Sequence, residues 1–505
     1  MFSNEKIHVE TEIGKLRKLI IHSPDGGIGK VVPAKFKEWL YDDTVHLSQM
    51  RKEYNQYVKL LLYFLDKDKA EYVAEMEIRQ AAKHQQDCYK PDNDAYFKST
   101  KVLDTQYLLS QILEKDHVRQ RIIAAVCAWE GSSAKTEKKL YQIDKSTELA
   151  KTLITGIINN DKGSNDFIFA PLPNFIFTRD IAIAINNHLL LSNAATSARE
   201  RESLLMKFIG QYGLFKRDEE KLIEISEPSN FFLLSEEEQI TEKVSLEGGD
   251  VMMIAPKHLL IGCSERTTAS GVNEVIHNIL SDSSTGIEKI SVIKIPQHRA
   301  MMHIDTVFTQ VRKDTWVLFG QFSEKVMTPE NRSRYEYGKR FLHSEAAQSG
   351  FKIEVLRYYK PLSTPYMANT NYELDISDRV FGLESLLRNI SIEDFGIPED
   401  KVTIIYSGNN QFPYDEREQW TDSCNLLALK EGVVVGYDRN EYTINSFKEN
   451  GFAVKRAETL FAEFASNNLT PADIENTLIL LPSAELSRAR GGAHCMSMPL
   501  HRDIL

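Results

Sequence analysis

The feature that most constrains this chain is a degenerate repeat. Four stretches share one order: a polar motif, an apolar strand, a short polar turn, a second apolar strand and, in most copies, a helix. The first runs from Arg179 and Asp180 into IAIAI, turns at Asn186, Asn187 and His188, and returns as LLLS. A helix carrying Leu204, Leu205, Phe208 and Ile209 follows. The second opens on Glu247, Gly248, Gly249 and Asp250, runs VMMI, turns at Ala255, Pro256 and Lys257, and returns as HLLIG. Val272, Val275, Ile276, Ile279 and Leu280 then recur at helical spacing. The third opens on His303, Ile304 and Asp305, runs TVFTQV, turns at Arg312, Lys313 and Asp314, and returns as TWVLFG. The fourth opens on Asn425, runs LLAL, turns at Lys430, Glu431 and Gly432, and returns as VVVGY. It leads into a helix around 443–449 that Gly451 can terminate. The stretch from Lys18, LIIHSP, reads as a partial fifth copy.

Hairpins followed by amphipathic helices predict an α/β fold built as a pseudosymmetric ring. In such a ring equivalent strand starts point at one axis. Asp180, Glu247, Asp250, His303 and Asp305 are therefore expected to meet, although far apart in sequence. The plainer alternative is that these residues only begin strands. The chain reads as one domain over 1–505 with two interruptions. Residues about 45–160 are charged and mainly helical in rhythm, and residues about 322–415 mix polar, helical and strand-like pieces. Both are expected as insertions packed on the ring.

Charge narrows the partners. The net charge is −11 and no basic stripe occurs, which argues against nucleic acid and for a small cation drawn to an acidic cavity. No apolar run approaches the ~18 residues of a membrane helix. MFSNEKIHVETEIGK lacks the apolar core of a signal peptide. Cys88, Cys127, Cys263, Cys424 and Cys495 are scattered, with no C-x-x-C, so neither a disulfide nor a zinc scaffold is expected. A reducing, cytoplasmic setting without membrane attachment fits.

Cys495 lies in RARGGAHCMSMPL. Gly491 and Gly492 permit close backbone approach, and Arg488, Arg490 and His494 predict a thiol pKa below its free value of about 8.5. His303 and Asp305, one residue apart at a strand start, are predicted to share a face. Glu247 and Asp250 flank a flexible pair at the edge of an apolar strand, and Asp180 ends the apolar run from Asn174. Carboxylates so placed call for a cationic partner or ligand. Arg199 and Arg266 stand at helix starts, where a cation opposes the macrodipole, so each needs a carboxylate to bind. A buried structural cysteine, a hydrogen-bonded structural histidine and surface arginines are the corresponding bland readings. Gly26, Gly27, Ile28, Gly29 and Lys30 lack P-loop spacing, Asp92, Asn93 and Asp94 lack the rest of a calcium loop, and His84 and Cys88 have no second ligand pair.

The segments PNFIFTRD, LEGGDVMMI, MHIDTVFT, REQWTD, VGYDRN and RARGGAHCMSMPL, in this order, resemble the motifs of the arginine deiminase family. EIGKLRKLIIHSP and WLYDD resemble its opening segments. The resemblance implies a five-bladed α/β propeller and hydrolysis of free L-arginine to L-citrulline and ammonia, with no metal or organic cofactor. Cys495 would attack the guanidinium carbon to form an S-alkylthiouronium, and His303 would serve as acid and then base. Asp180 and Asp305 would clamp the guanidinium, and Glu247 would pair with His303 and the substrate nitrogens. Asn174, Phe177, Arg199 and Arg266 would hold the amino-acid end, and Asp250 would support the site. Arg490 matches a mobile arginine near the nucleophile and Leu40 a backbone contact. A homo-oligomer is compatible with this. Agmatine or protein-arginine deiminases, amidinotransferases, a non-catalytic arginine sensor and a papain-like thiol hydrolase are the competing readings.

Overall fold

A computed structural model describes residues 7–81, 87–159, 165–215, 221–323, 353–360, 373–375 and 382–505. All four predicted hairpins form. Ala182–Ile185 pairs with His188–Leu191, Val251–Ala255 with His258–Cys263, Phe308–Arg312 with Thr315–Leu318, and Leu427–Lys430 with Val433–Tyr437, each antiparallel. Nearly every residue of these strands is buried, which is why they read as continuous apolar runs rather than as alternation.

One connection recurs. The second strand of each hairpin takes a parallel neighbour from further along the chain: Leu222–Ile223, Lys289–Lys294, Thr403–Tyr406 and Thr477–Leu481, respectively. Helices lie between. In Ala269–Ser281 the hydroxyl of Thr268 caps the amide of Gly271, and Val272, Val275, Ile276, Ile279 and Leu280 are buried on one face. Each such side chain contributes about 1.5–3 kcal/mol when fully buried. The stretch containing Lys18 completes a fifth sheet of the same kind. Leu16–Ile21 pairs antiparallel with Met498–Arg502 and parallel with Val102–Asp104. A small pair, Ile157–Asn159 with Asn165–Phe167, stands apart from these five.

The interrupting stretches are not wholly peripheral. Residues 45–160 hold the helices Leu47–Leu65, Lys67–Ala81, Thr105–Ile112, Asp116–Trp129, Ala134–Tyr141 and Ser146–Thr155. They also hold Val102–Asp104, a sheet strand too short for its periodicity to show in the sequence. Within 322–415, Glu354–Tyr359 and Thr403–Tyr406 join sheets, while 324–352, 361–372 and 376–381 lie outside the described residues.

The polar motifs do not start strands. They occupy tight turns just ahead of them: Thr178–Ile181, Gly248–Asp250 and Ile304–Thr306. The mixed α/β architecture thus hands each sheet's entry turn, rather than its first pleat, to the site.

Candidate active site

The turns decide which way each group faces. A 3₁₀ turn has about three residues per revolution, so residues two apart diverge instead of sharing a face. The imidazole of His303 accordingly meets Glu247 Oε2 at 3.0 Å and Asp180 Oδ1 at 3.7 Å. The carboxylate of Asp305 instead meets His494 Nδ1 at 2.9 Å and Cys495 Sγ at 3.4 Å. The expected common strand face for His303 and Asp305 is thus corrected. Their separation puts the imidazole beside Glu247 and Asp180 and the Asp305 carboxylate beside His494 and Cys495.

That pocket is lined by Leu40, Asn174, Phe177, Asp180, Arg199, Glu247, Arg266, His303, Arg490 and Cys495, among others. Asp250 and Asp305 are fully buried behind it. Asp250 accepts from the Ile304 amide at 3.0 Å and the Ser264 hydroxyl at 2.6 Å, so it fixes the turn that carries His303. Gly249 makes the crowding possible: a Cβ there would stand 2.6 Å from His303 Nδ1 and 3.0 Å from Asp180 Oδ1. Gly491 has the same role for Phe177, whose ring would lie 2.3 Å from an added Cβ.

Electrostatics sets the protonation states. Burial opposes a charge on His303, but Asp180, the hydrogen bond to Glu247 and the nearby Asp250 raise its pKa to about 10. His303 is therefore an imidazolium at neutral pH. Burial also opposes the Glu247 carboxylate, yet His303 and Arg199 hold its pKa down to about 2. Asp180 is raised, because burial and its acidic neighbours outweigh His303 and Arg199. Asp305 is lowered despite burial, through its bond to His494.

Cys495 behaves against expectation. Its pKa is raised well above the ordinary thiol value, first by burial and then by Asp305, Asp180 and Asp422. The basic neighbours that predicted the opposite point elsewhere. Arg490 stacks 3.4 Å over the Trp420 ring, Arg488 pairs with Asp43 at 2.7 Å, and His494 is taken up by Asp305 and Glu12. At neutral pH these surroundings keep the sulfur a thiol.

Arg199, expected to hold the amino-acid end, makes these contacts within the site. Its Nε bonds Glu202 at 2.9 Å, Nη1 bonds Asp180 at 2.7 Å and Glu247 at 3.3 Å, and Nη2 bonds the carbonyls of Asn174 and Phe177. These contacts occupy all five of its N–H donors. A third carboxyl, Glu202, is raised to about 7 by burial here. Arg266 is buried, lines the pocket, and its Nε has no hydrogen-bond partner among the described residues. Arg490 likewise leaves Nε and Nη1 without hydrogen-bond partners. Leu40, in a left-handed conformation (φ 62°), lends its carbonyl to Arg299 at 2.7 Å, and Asn174 donates to the Trp39 carbonyl at 2.9 Å.

Sequence reasoning missed Asn425, Asp422, His494, Glu202 and Arg299 as members of the site. Asn425 was discoverable, since it opens the fourth repeat at the place where acids open the others. Asp180, Glu247 and His303 bring ligand-type atoms within 4.8 Å of one another, a set that could hold a metal ion. The Arg199 guanidinium already bridges both carboxylates, and a protonated His303 has no lone pair to offer. The residues therefore do not suit a resident metal.

Comparison with known proteins decides the family. A family model described as arginine deiminase matches residues 37–502. The chain belongs to the arginine deiminase family. Among curated relatives, the arginine deiminase of Latilactobacillus sakei subsp. sakei (strain 23K) is 29% identical and covers 99% of this chain and 98% of its own. An arginine deiminase of Streptococcus gordonii (strain Challis) is 27% identical over 99% of each chain. A solved amidinotransferase from Microseira wollei, of the saxitoxin biosynthetic pathway, covers 99% of this chain and 98% of that one. At 11% identity and a TM-score of 0.42, it carries no argument. No described helix is long and apolar enough to cross a membrane.

Proposed function

We propose that this arginine deiminase family member hydrolyses the guanidinium group of free L-arginine to L-citrulline and ammonia, through a covalent S-alkylthiouronium on Cys495. One observation carries the reading. Among the described residues around the sulfur, the buried acceptors Asp180 Oδ1, Glu247 Oε1 and Asp305 Oδ1 lack hydrogen-bond partners, while Arg266 Nε and Arg490 Nε and Nη1 are buried donors that lack them too. A buried polar group left unpaired costs about 1–3 kcal/mol, and more when charged. A ligand with a planar cation at one end and a carboxylate at the other answers both sets. Agmatine, without a carboxylate, would leave the arginines unanswered.

The chemistry follows from the charges. An entering guanidinium offsets the carboxylates that keep the Cys495 proton in place; that proton leaves to solvent, and the thiolate adds to the guanidinium carbon. His303, held as imidazolium, gives its proton to the departing nitrogen, the C–N bond breaks, and ammonia leaves a thiouronium behind. The neutral imidazole then takes a proton from water as its oxygen adds to the same carbon. The C–S bond breaks as the added hydroxyl loses its proton to solvent and becomes citrulline's carbonyl. The departing thiolate takes back a proton from solvent, and the ammonia released earlier takes up the remaining one as ammonium. Every change is a shift of a proton or an electron pair.

We read the five sheets of shared connection as blades of a propeller around this pocket, and 1–505 as one catalytic domain bearing the stretches about 45–160 and 322–415. A reducing cytoplasm suits the five free cysteines.

Purified protein incubated with L-arginine, agmatine and a capped arginine peptide tests the substrate. Citrulline and ammonia are expected from L-arginine and little product from the others. Cys495→Ser should lower turnover by at least about 10³-fold while arginine still binds. Absence of ammonia release from L-arginine would overturn the reading.

A further inference from the structure

Asn425 opens the fourth hairpin, is fully buried, and takes no part in the proton and bond changes of the reaction. Its amide nevertheless grips the nucleophile on two sides. Nδ2 lies 3.1 Å from Cys495 Sγ, and Oδ1 accepts from the Cys495 backbone amide at 2.9 Å. The orientation of the amide is not arbitrary. Its oxygen faces an N–H donor, and its nitrogen also donates to the Asp305 carbonyl at 3.2 Å, so the nitrogen must be the atom that faces sulfur. Gly492 permits the approach, since a Cβ there would stand 2.4 Å from the Asn425 carbonyl oxygen.

The other groups around the sulfur work against a thiolate. Asp305 Oδ2 is 3.4 Å away, and Asp180 and Asp422 add negative charge from two further turns. The phenols of Tyr57 and Tyr437 share these surroundings, with Tyr57 donating to the Ala493 carbonyl and Tyr437 to the Gly491 carbonyl. Arg490 is turned onto Trp420, and His494 reaches Asp305 rather than sulfur. Among the described residues, Asn425 is the only hydrogen-bond donor to Sγ. A hydrogen bond to an ionised acceptor is roughly twice as strong as one between neutral groups, so this contact strengthens when the proton leaves.

We propose that Asn425 is a positioning residue for the nucleophile: its amide orients Cys495 and supplies the hydrogen bond that favours the thiolate, both before attack and on release from the intermediate. The inference rests on Cys495 being the nucleophile.

Alkylation of Cys495 by iodoacetamide, resolved by peptide mass mapping from about pH 6 to about pH 11, reads the acidity of this thiol directly. Asn425→Asp keeps the size but exchanges the donor for an acceptor. Its alkylation midpoint should rise by about one unit or more, and its kcat should fall about 10–100-fold, with KM within about threefold. Asn425→Ala, which adds no charge, should show a smaller rise. Asn425→Ser, which retains a hydroxyl donor, should lie between Ala and the parent, and it replaces any variant that loses its near-UV circular dichroism. An unchanged midpoint in a folded variant, whatever happens to kcat, overturns the proposal, since it reduces Asn425 to packing. Failure of the nucleophile reading shows separately, as turnover retained in Cys495→Ser.

Discussion

Arg199 Nη1 lies 2.7 Å from Asp180 Oδ2, and the same guanidinium also holds Glu247 and Glu202, all buried. A built-in cation thus keeps three carboxylates together beside the place where a substrate cation must bind. Removing one partner of a buried ion pair typically costs 3–5 kcal/mol, because the remaining charge is left uncompensated. Arg199→Ala should therefore lower unfolding free energy by about 3–5 kcal/mol in guanidinium titrations. Arg199→Lys should recover part of the stability, since a point charge cannot reproduce the planar fork.

Asp180 and His303 share a pocket wall, but their removal should read differently. Asp180→Asn deletes a counter-charge for both the guanidinium and the imidazolium. It should lower kcat/KM for L-arginine by about 10²–10³-fold in citrulline assays.

Arg266 lines the pocket with a buried Nε that has no hydrogen-bond partner among the described residues, and it is proposed to meet the substrate carboxylate. Arg266→Ala should raise KM for L-arginine by about 10–100-fold with a smaller change in kcat, as expected when a contact made equally in ground and transition states is lost. The low rate with agmatine should hardly change. An equal loss with both substrates would place Arg266 elsewhere in the reaction.

The folded-state pKa of His303, raised to about 10, has a definite sign for stability. The fold binds this proton more tightly than the unfolded chain, whose histidine titrates near 6.5. The resulting stabilisation is fully present below about pH 6.5, declines as pH rises, and is gone above about pH 10. The difference in unfolding free energy between the parent and His303→Gln should follow that course. A difference that grew between pH 7 and pH 10 would contradict the imidazolium assignment.

Gly249 offers a steric test. Gly249→Ala would put a methyl group 2.6 Å from His303 Nδ1. Displacing the ring by even about 1 Å can cost about 10²-fold in rate, so kcat should fall to that extent with a modest change in melting temperature.

Much of this arrangement is legible in the sequence. The hairpins were readable because strands buried on both faces leave unbroken apolar runs, as in VMMI and VVVGY. The site's acids and His303 were readable because polar residues recur at one point of every copy. The protonation of Cys495 was not, because it depends on carboxylates from three distant turns and on where Arg490 and His494 aim, not on its neighbours in the chain. The contacts of Arg199 were hidden for the same reason, since nothing in the sequence of that helix marks Glu202 as their partner. Val102–Asp104 gave no signal at all: a three-residue strand has no period to detect.

The sheet that unites Leu16–Ile21 with Met498–Arg502 has a temporal consequence. Cys495 sits immediately ahead of the strand that pairs with the first strand of the fold, so a growing polypeptide holds its acids and imidazole long before it holds its sulfur. Synthesis must pass Arg502, and the two strands must then find each other, before the lining of the pocket is complete. Products that end before Cys495 would lack the sulfur on which the proposed reaction depends, whatever else of the structure they had acquired.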